Sequence, residues 1–194
     1  MENLIELVID QDDESGVDYI ALVDHPAIES NWRAFNKQEK AKSNFAVEDE
    51  EKRIISGALM VADLPIYRND ERNGEHYVVF RKNTIKDIVF KFFRNEFTSN
   101  TNLMHNSNQL ADGVFLFESF LIDKERGIET PKGFDKLTDG SWFGSMRVEN
   151  DEIWQQVKDG TFKGFSVEGI FAQTKEKSIE EKQIEKIIDI IKNA

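Results

Sequence analysis

The chain has 194 residues, 39% hydrophobic and 32% charged, which is enough apolar material for one cored domain, or one domain with appendages. Its formal net charge of -12 argues against a nucleic-acid partner, because phosphate backbones select basic faces. There is no cysteine, so disulfides, thiolate nucleophiles and Cys-based zinc modules are excluded, and any covalent catalysis falls to a hydroxyl.

The first residues, Met1 to Glu6, have no basic start and no apolar stretch of signal-peptide length. No window approaches the roughly 18 apolar residues of a membrane span. A soluble protein without a membrane partner is expected.

Leu4 to Ile9 reads as a short strand and Asp10 to Gly16 as an acidic turn, followed by a second strand around Tyr19 to Val23. His25-Pro26 ends that strand, since the residue before a proline is pushed out of the helical region. Ile28 to Glu51 is charged and poor in bulk, as in Lys37 to Ser43 (KQEKAKS), and reads as a linker or loop. The expected organisation is therefore residues 1–52 as N-terminal strands and charged arm, 53–173 as the main domain, and 174–194 as a C-terminal helix.

From Arg53 onward the patterning strengthens. Ile54 to Val61 is an apolar run of strand length closed by Pro65. Asn73-Gly74 marks a turn and Tyr77 to Phe80 the returning strand. Asn83-Thr84 caps a helix reaching Phe97, with Ile85, Ile88, Val89, Phe92 and Phe93 along one stripe.

Three strands follow, at Leu103 to His105, Gly113 to Asp123 and Gly140 to Val148. Asn150-Asp151-Glu152 starts a helix that Asp159-Gly160 stops. Phe162 to Phe171 is the last strand. Lys175 to Lys192 carries Ile179, Ile184, Ile187, Ile188 and Ile191 on one helical face, suited to docking on its own sheet or to pairing with a second copy or another protein. The predicted class is α+β, with a mainly antiparallel or mixed, barrel-like sheet and flanking helices.

Chemistry concentrates in Gly164-Phe165-Ser166-Val167-Glu168-Gly169. A serine hydroxyl needs a base to take its proton, and histidine, with an ordinary pKa near 6.5, suits that task. His105 is the candidate, with Glu118 to orient its far nitrogen. Each residue also has an ordinary reading: Ser166 as a small packing residue, His105 as a turn histidine, Glu118 as a solvent-facing strand position. The motif is one residue longer than the G-x-S-x-G elbow, and no helix follows it directly, so an α/β-hydrolase, and with it a small-molecule esterase, is disfavoured.

His25 and His76 lack ligand spacing with His105 and read as solvent-facing. No metal or cofactor is expected. Val114 to Phe117, the phenylalanines between Val89 and Phe97, Trp142 and Trp154 read as core.

Several segments carry a family resemblance: Ser56 to Val61 with Pro65 to Arg68, Asn102-Leu103-Met104-His105, Glu118 to Asp123, Gly140 to Gly144, and Gly160-x-x-Lys163 to Gly169. The stretch Ile20 to Ile28 looks like the leader preceding such domains. From Ile54 to Phe171 the chain resembles the XkdF-like phage serine proteases, a group of prohead (capsid-maturation) proteases thought to share the fold of the herpesvirus capsid-maturation enzymes.

The resemblance implies a serine endopeptidase with Ser166 as nucleophile, His105 as base and Glu118, or else Asp123, as third member. It implies work inside the assembling procapsid in the host cytoplasm, on scaffold protein, capsid-protein segments and the protease itself, with homo-oligomerisation open. Oxyanion donors would be backbone N–H groups near the nucleophile or at a Gly144-Ser145 turn. A strand-edge groove would suit an extended peptide, and the residues before Arg53 would suit a processed arm. The competing expectation is a capsid-assembly or scaffold-associated structural protein that keeps the fold without cleavage.

Overall fold

A computed structural model describes residues 4–26, 45–49 and 52–175. The strands are β1 (Leu4–Val8), β2 (Gly16–Val23), β3 (Phe45–Asp49), β4 (Ile54–Met60), β5 (Ile66–Asp70), β6 (Gly74–Phe80), β7 (Thr101–Leu103), β8 (Asn106–Leu110), β9 (Val114–Leu121), β10 (Trp142–Val148), β11 (Gly164–Ile170) and β12 (Ala172–Lys175). Helix α1 (Lys82–Arg94) lies between β6 and β7, and α2 (Asp151–Lys158) between β10 and β11.

Among the described residues the strands form three four-stranded sheets, ordered β12-β1-β6-β5, β3-β4-β10-β9 and β11-β2-β7-β8. Pairing is mostly antiparallel, with parallel contacts between β1 and β6 and between β2 and β7. The α+β class holds in this broad form. The expected barrel-like sheet does not: among the described residues there are three separate sheets and no closed barrel.

Alternation explains what is buried. In β2, Ile20 and Leu22 enter the core, as do Phe165 of β11, Ile55 and Leu59 of β4, and Trp142 and Met146 of β10. Helix α1 adds Ile85, Ile88 and Phe92, whose ring meets Trp142 edge to face at 5.2 Å between centroids. Each such side chain contributes about 1.5–3 kcal/mol through burial. Phe90, Phe93 and Phe117 leave the predicted core and are exposed, because none of them falls on the buried face of its element. Trp154 packs in the core as expected.

The helix boundaries show what the caps decide. Asn150 Oδ1 accepts from the N–H groups of Glu152 and Ile153 at 3.0 and 3.1 Å, so α2 begins where expected. Helix α1 starts earlier than predicted, with Arg81 rather than Asn83 as its N-cap residue, and ends at Arg94.

Two expectations about the N-terminal part change. Strand β3 lies inside the predicted linker and pairs with β4. The compact body also begins well before Arg53, since β1 pairs with β12 and β6, and β2 with β11 and β7. The predicted C-terminal helix lies almost wholly outside the described residues.

Candidate active site

Strand β11 holds the glycine-flanked motif. Its odd residues Phe165 and Val167 turn to the core, so Ser166 and Glu168 share the opposite face. Ser166 is 7% exposed. It pairs with Ala21 of β2, and Ala21 pairs in turn with Asn102 of β7, which sets Ser166, Ala21 and Asn102 in one row on one face.

His105 is not in a strand. Leu103 pairs directly with Asn106, leaving Met104 and His105 as a two-residue hairpin turn in which both have positive φ, 54° and 58°. Two positive values at the turn centre are the pattern of a type I′ turn. Non-glycine residues adopt this region at a cost. The turn brings the imidazole to Glu168, a residue on the same strand face as Ser166.

The carboxylate that meets this ring is Glu168. Its Oε2 lies 3.2 Å from His105 Nδ1 and accepts from Asn102 Nδ2 at 3.0 Å. Asn102 is fully buried, and its Oδ1 has no hydrogen-bond partner. With the carboxylate at Nδ1, the neutral ring carries its proton there and presents Nε2 as the acceptor. Among the described residues no hydrogen bond joins Ser166 to His105.

Glu118 is placed elsewhere. Ser56 Oγ donates to Ser145 Oγ at 2.9 Å, and Ser145 Oγ donates to Glu118 Oε2 at 2.6 Å. This relay runs across β4, β10 and β9, in a different sheet from Ser166. Asp123 caps a short 3-10 turn by accepting from Arg126 N–H. Neither carboxylate contacts His105 in this structure. Gly144 and Ser145, expected at a turn, lie within β10 between β4 and β9; Gly144 is there because an added Cβ would stand 2.6 Å from a Leu116 methyl carbon.

The other histidines are apart from the site. His25 is exposed and 3.0 Å from Asp24. His76, expected to face solvent, is instead buried, with Nδ1 2.9 Å from the Gly74 carbonyl oxygen and Nε2 3.6 Å from Asp70. Among the described residues no cluster of three or more His, Asp or Glu side chains could hold a metal ion.

The second motif glycine has a mechanical cause. Glu168 pairs with Tyr19 but Gly169 with Val17, so Asp18 is an extra residue on β2, a β-bulge. A Cβ on Gly169 would stand 1.8 Å from the Gly16 carbonyl oxygen. Only glycine permits this approach. Beside it, burial raises the Asp18 carboxyl above the ordinary value of 3.8; Lys91 opposes this, while Glu14 and Glu168 add to it.

Glu168 is the site residue that the sequence reading did not single out. The signal was present, because a residue two positions from Ser166 on a strand must share its face. No curated protein and no solved structure matches the chain. A family model described as "Putative phage serine protease XkdF" matches residues 42–176, well over half of the sequence and all of β3 to β12. The chain belongs to that phage serine protease family.

Proposed function

We propose that the protein is a serine endopeptidase that processes scaffold and capsid-protein segments during phage capsid maturation, with a herpesvirus-protease-like core, inside the assembling procapsid in the host cytoplasm. Ser166 is the nucleophile, His105 the base, and Glu168, in place of Glu118, the carboxylate that orients the ring. The observation that carries this reading is the Glu168–His105 contact on the face that Ser166 occupies.

Ser166 Oγ attacks the peptide carbonyl carbon as His105 Nε2 takes the hydroxyl proton. The imidazolium gives that proton to the departing amine, leaving an acyl-enzyme that water hydrolyses. Glu168 stabilises the imidazolium and holds the tautomer. Catalytic hydrogen bonds in unliganded sites are commonly long and tighten with substrate, which accommodates the missing Ser166–His105 bond. Loss of everything before Arg53 by self-cleavage is not part of this reading, because it would remove β2 from between β11 and β7.

One observation favours a non-catalytic assembly protein of the same fold: Ser166 is buried and makes no bond to His105. Co-expression with a candidate capsid or scaffold protein separates the two readings. Mass spectrometry is expected to show shortened products with the wild-type chain and none with Ser166→Ala. Processing that persists in the alanine variant would sink the nucleophile assignment.

A further inference from the structure

We infer that β2, which precedes the region the family model covers, is a working part of the site, and that Ala21 is a positioning residue whose small side chain lets Glu168 reach His105. For its catalytic meaning the inference rests on the protease reading above. The geometry behind it does not.

Strand β2 lies between β11 and β7, which are two strand spacings apart, about 9.6 Å. Glu168 belongs to β11, yet its Oε2 contacts Asn102 Nδ2 at 3.0 Å on β7 and His105 Nδ1 at 3.2 Å beyond it. Its side chain therefore crosses over β2. Glu168 is level with Tyr19, and Asn102 with Ala21, so the crossing runs diagonally between those two residues, both of which face the site side.

Ala21 stands at the centre of this row and is fully buried. On β2 the residue between Ser166 and Asn102 is Ala21, whose side chain is a single methyl group. A branched or longer side chain would put carbon atoms in the path of the Glu168 carboxylate, while β-branched residues remain compatible with strand backbone. The expected result is a displaced carboxylate and an unfixed imidazole, in a sheet that still pairs.

The test uses the full-length chain and reads the His105 tautomer directly by 15N imidazole NMR at about pH 8.5, where imidazoles are neutral, with His105→Gln assigning the signal. Wild type and Ala21→Ser are expected to show the Nδ1–H form. Ala21→Leu is expected to shift the ring toward the mixed tautomers of Glu168→Gln and to lose about 10²-fold in peptide cleavage, the scale of a small misplacement at a reacting centre, less than Glu168→Gln because the displaced carboxylate keeps its charge. Adding Ala21→Leu to Glu168→Gln should then change little further.

Thermal unfolding identifies the folded variants, and Ala21→Val is read instead if the leucine variant does not fold. A folded Leu or Val variant that keeps the pure Nδ1–H form overturns the inference, as does its loss in Ala21→Ser. If the tautomer responds as expected but the wild-type chain cleaves nothing, the positioning role stands and the protease reading falls.

Discussion

Glu168 Oε2 lies 3.2 Å from His105 Nδ1, and the same oxygen accepts from Asn102 Nδ2 at 3.0 Å. The buried amide holds the carboxylate from one side while the carboxylate holds the imidazole from the other. That arrangement puts Glu168 in the position that the sequence reading gave to Glu118, or else Asp123.

Glu168→Gln is expected to lower kcat by about 10³–10⁴-fold, the scale of a lost tautomer in a serine-histidine-carboxylate site, while the chain stays folded. Glu118→Gln should leave kcat within about twofold. It weakens the charge-assisted Ser145 bond and costs about 1 kcal/mol of stability. Peptide turnover and thermal unfolding of the two variants check this; the reverse ranking in kcat would return the role to Glu118.

Met104 occupies a left-handed turn position with φ of 54° and is 39% exposed. A side chain with a Cβ pays roughly 1 kcal/mol or more there relative to glycine. Met104→Gly is expected to keep the β7–β8 register and raise Tm by several degrees, and Met104→Asn to give a smaller gain. A lower Tm in both would mean that Met104 packing outweighs the backbone cost.

This turn also shows where sequence legibility ended. The alternation in Val114 to Leu121 and Trp142 to Val148 marked its strands, and Asn150 marked its helix, because each signal is local. Met104-His105 carries no glycine or Asn-Gly signature, so the pattern read through it as strand. The positive φ values are imposed by the direct Leu103–Asn106 pairing, a nonlocal constraint. Strand β2 was visible as a strand, but its place between the serine and histidine strands was not, since parallel pairing with β7 leaves no mark at that distance in sequence. The placement of Glu168 with Ser166 on one face was readable from their spacing; Glu118 was chosen instead for its place on the strand after His105 and for its match to the family pattern.

Gly169→Ala tests the bulge that sets Glu168. Its Cβ would stand 1.8 Å from the Gly16 carbonyl oxygen and 2.8 Å from the Gly16 carbonyl carbon, backbone atoms that cannot swing aside. The expected cost is about 3 kcal/mol, at the upper end of overpacking penalties. Gly74→Ala, which unlike Gly169 stands at positive φ but has open space around it, should cost about 1 kcal/mol. Denaturant unfolding of both variants gives the ranking, and equal losses would remove the close approach as the cause.

Two aspartates give opposite pH signatures. Hydrogen bonds from Lys82 and from the Lys124 N–H hold Asp139 below its ordinary value of 3.8, so its stabilisation is present above the unfolded value and lost as pH falls through the lower folded one. Burial holds Asp18 above 3.8, so its folded carboxylate costs stability as pH rises from the unfolded value through the raised one. At pH 7, Asp139→Asn is therefore expected to lower Tm and Asp18→Asn to raise it. Both differences should shrink toward the acid limit, where each native carboxyl is protonated in the folded and unfolded chains. Thermal unfolding from pH 7 down to about pH 3 follows the two curves; an Asp18→Asn gain that persists undiminished in acid would show that packing, not desolvated charge, is responsible.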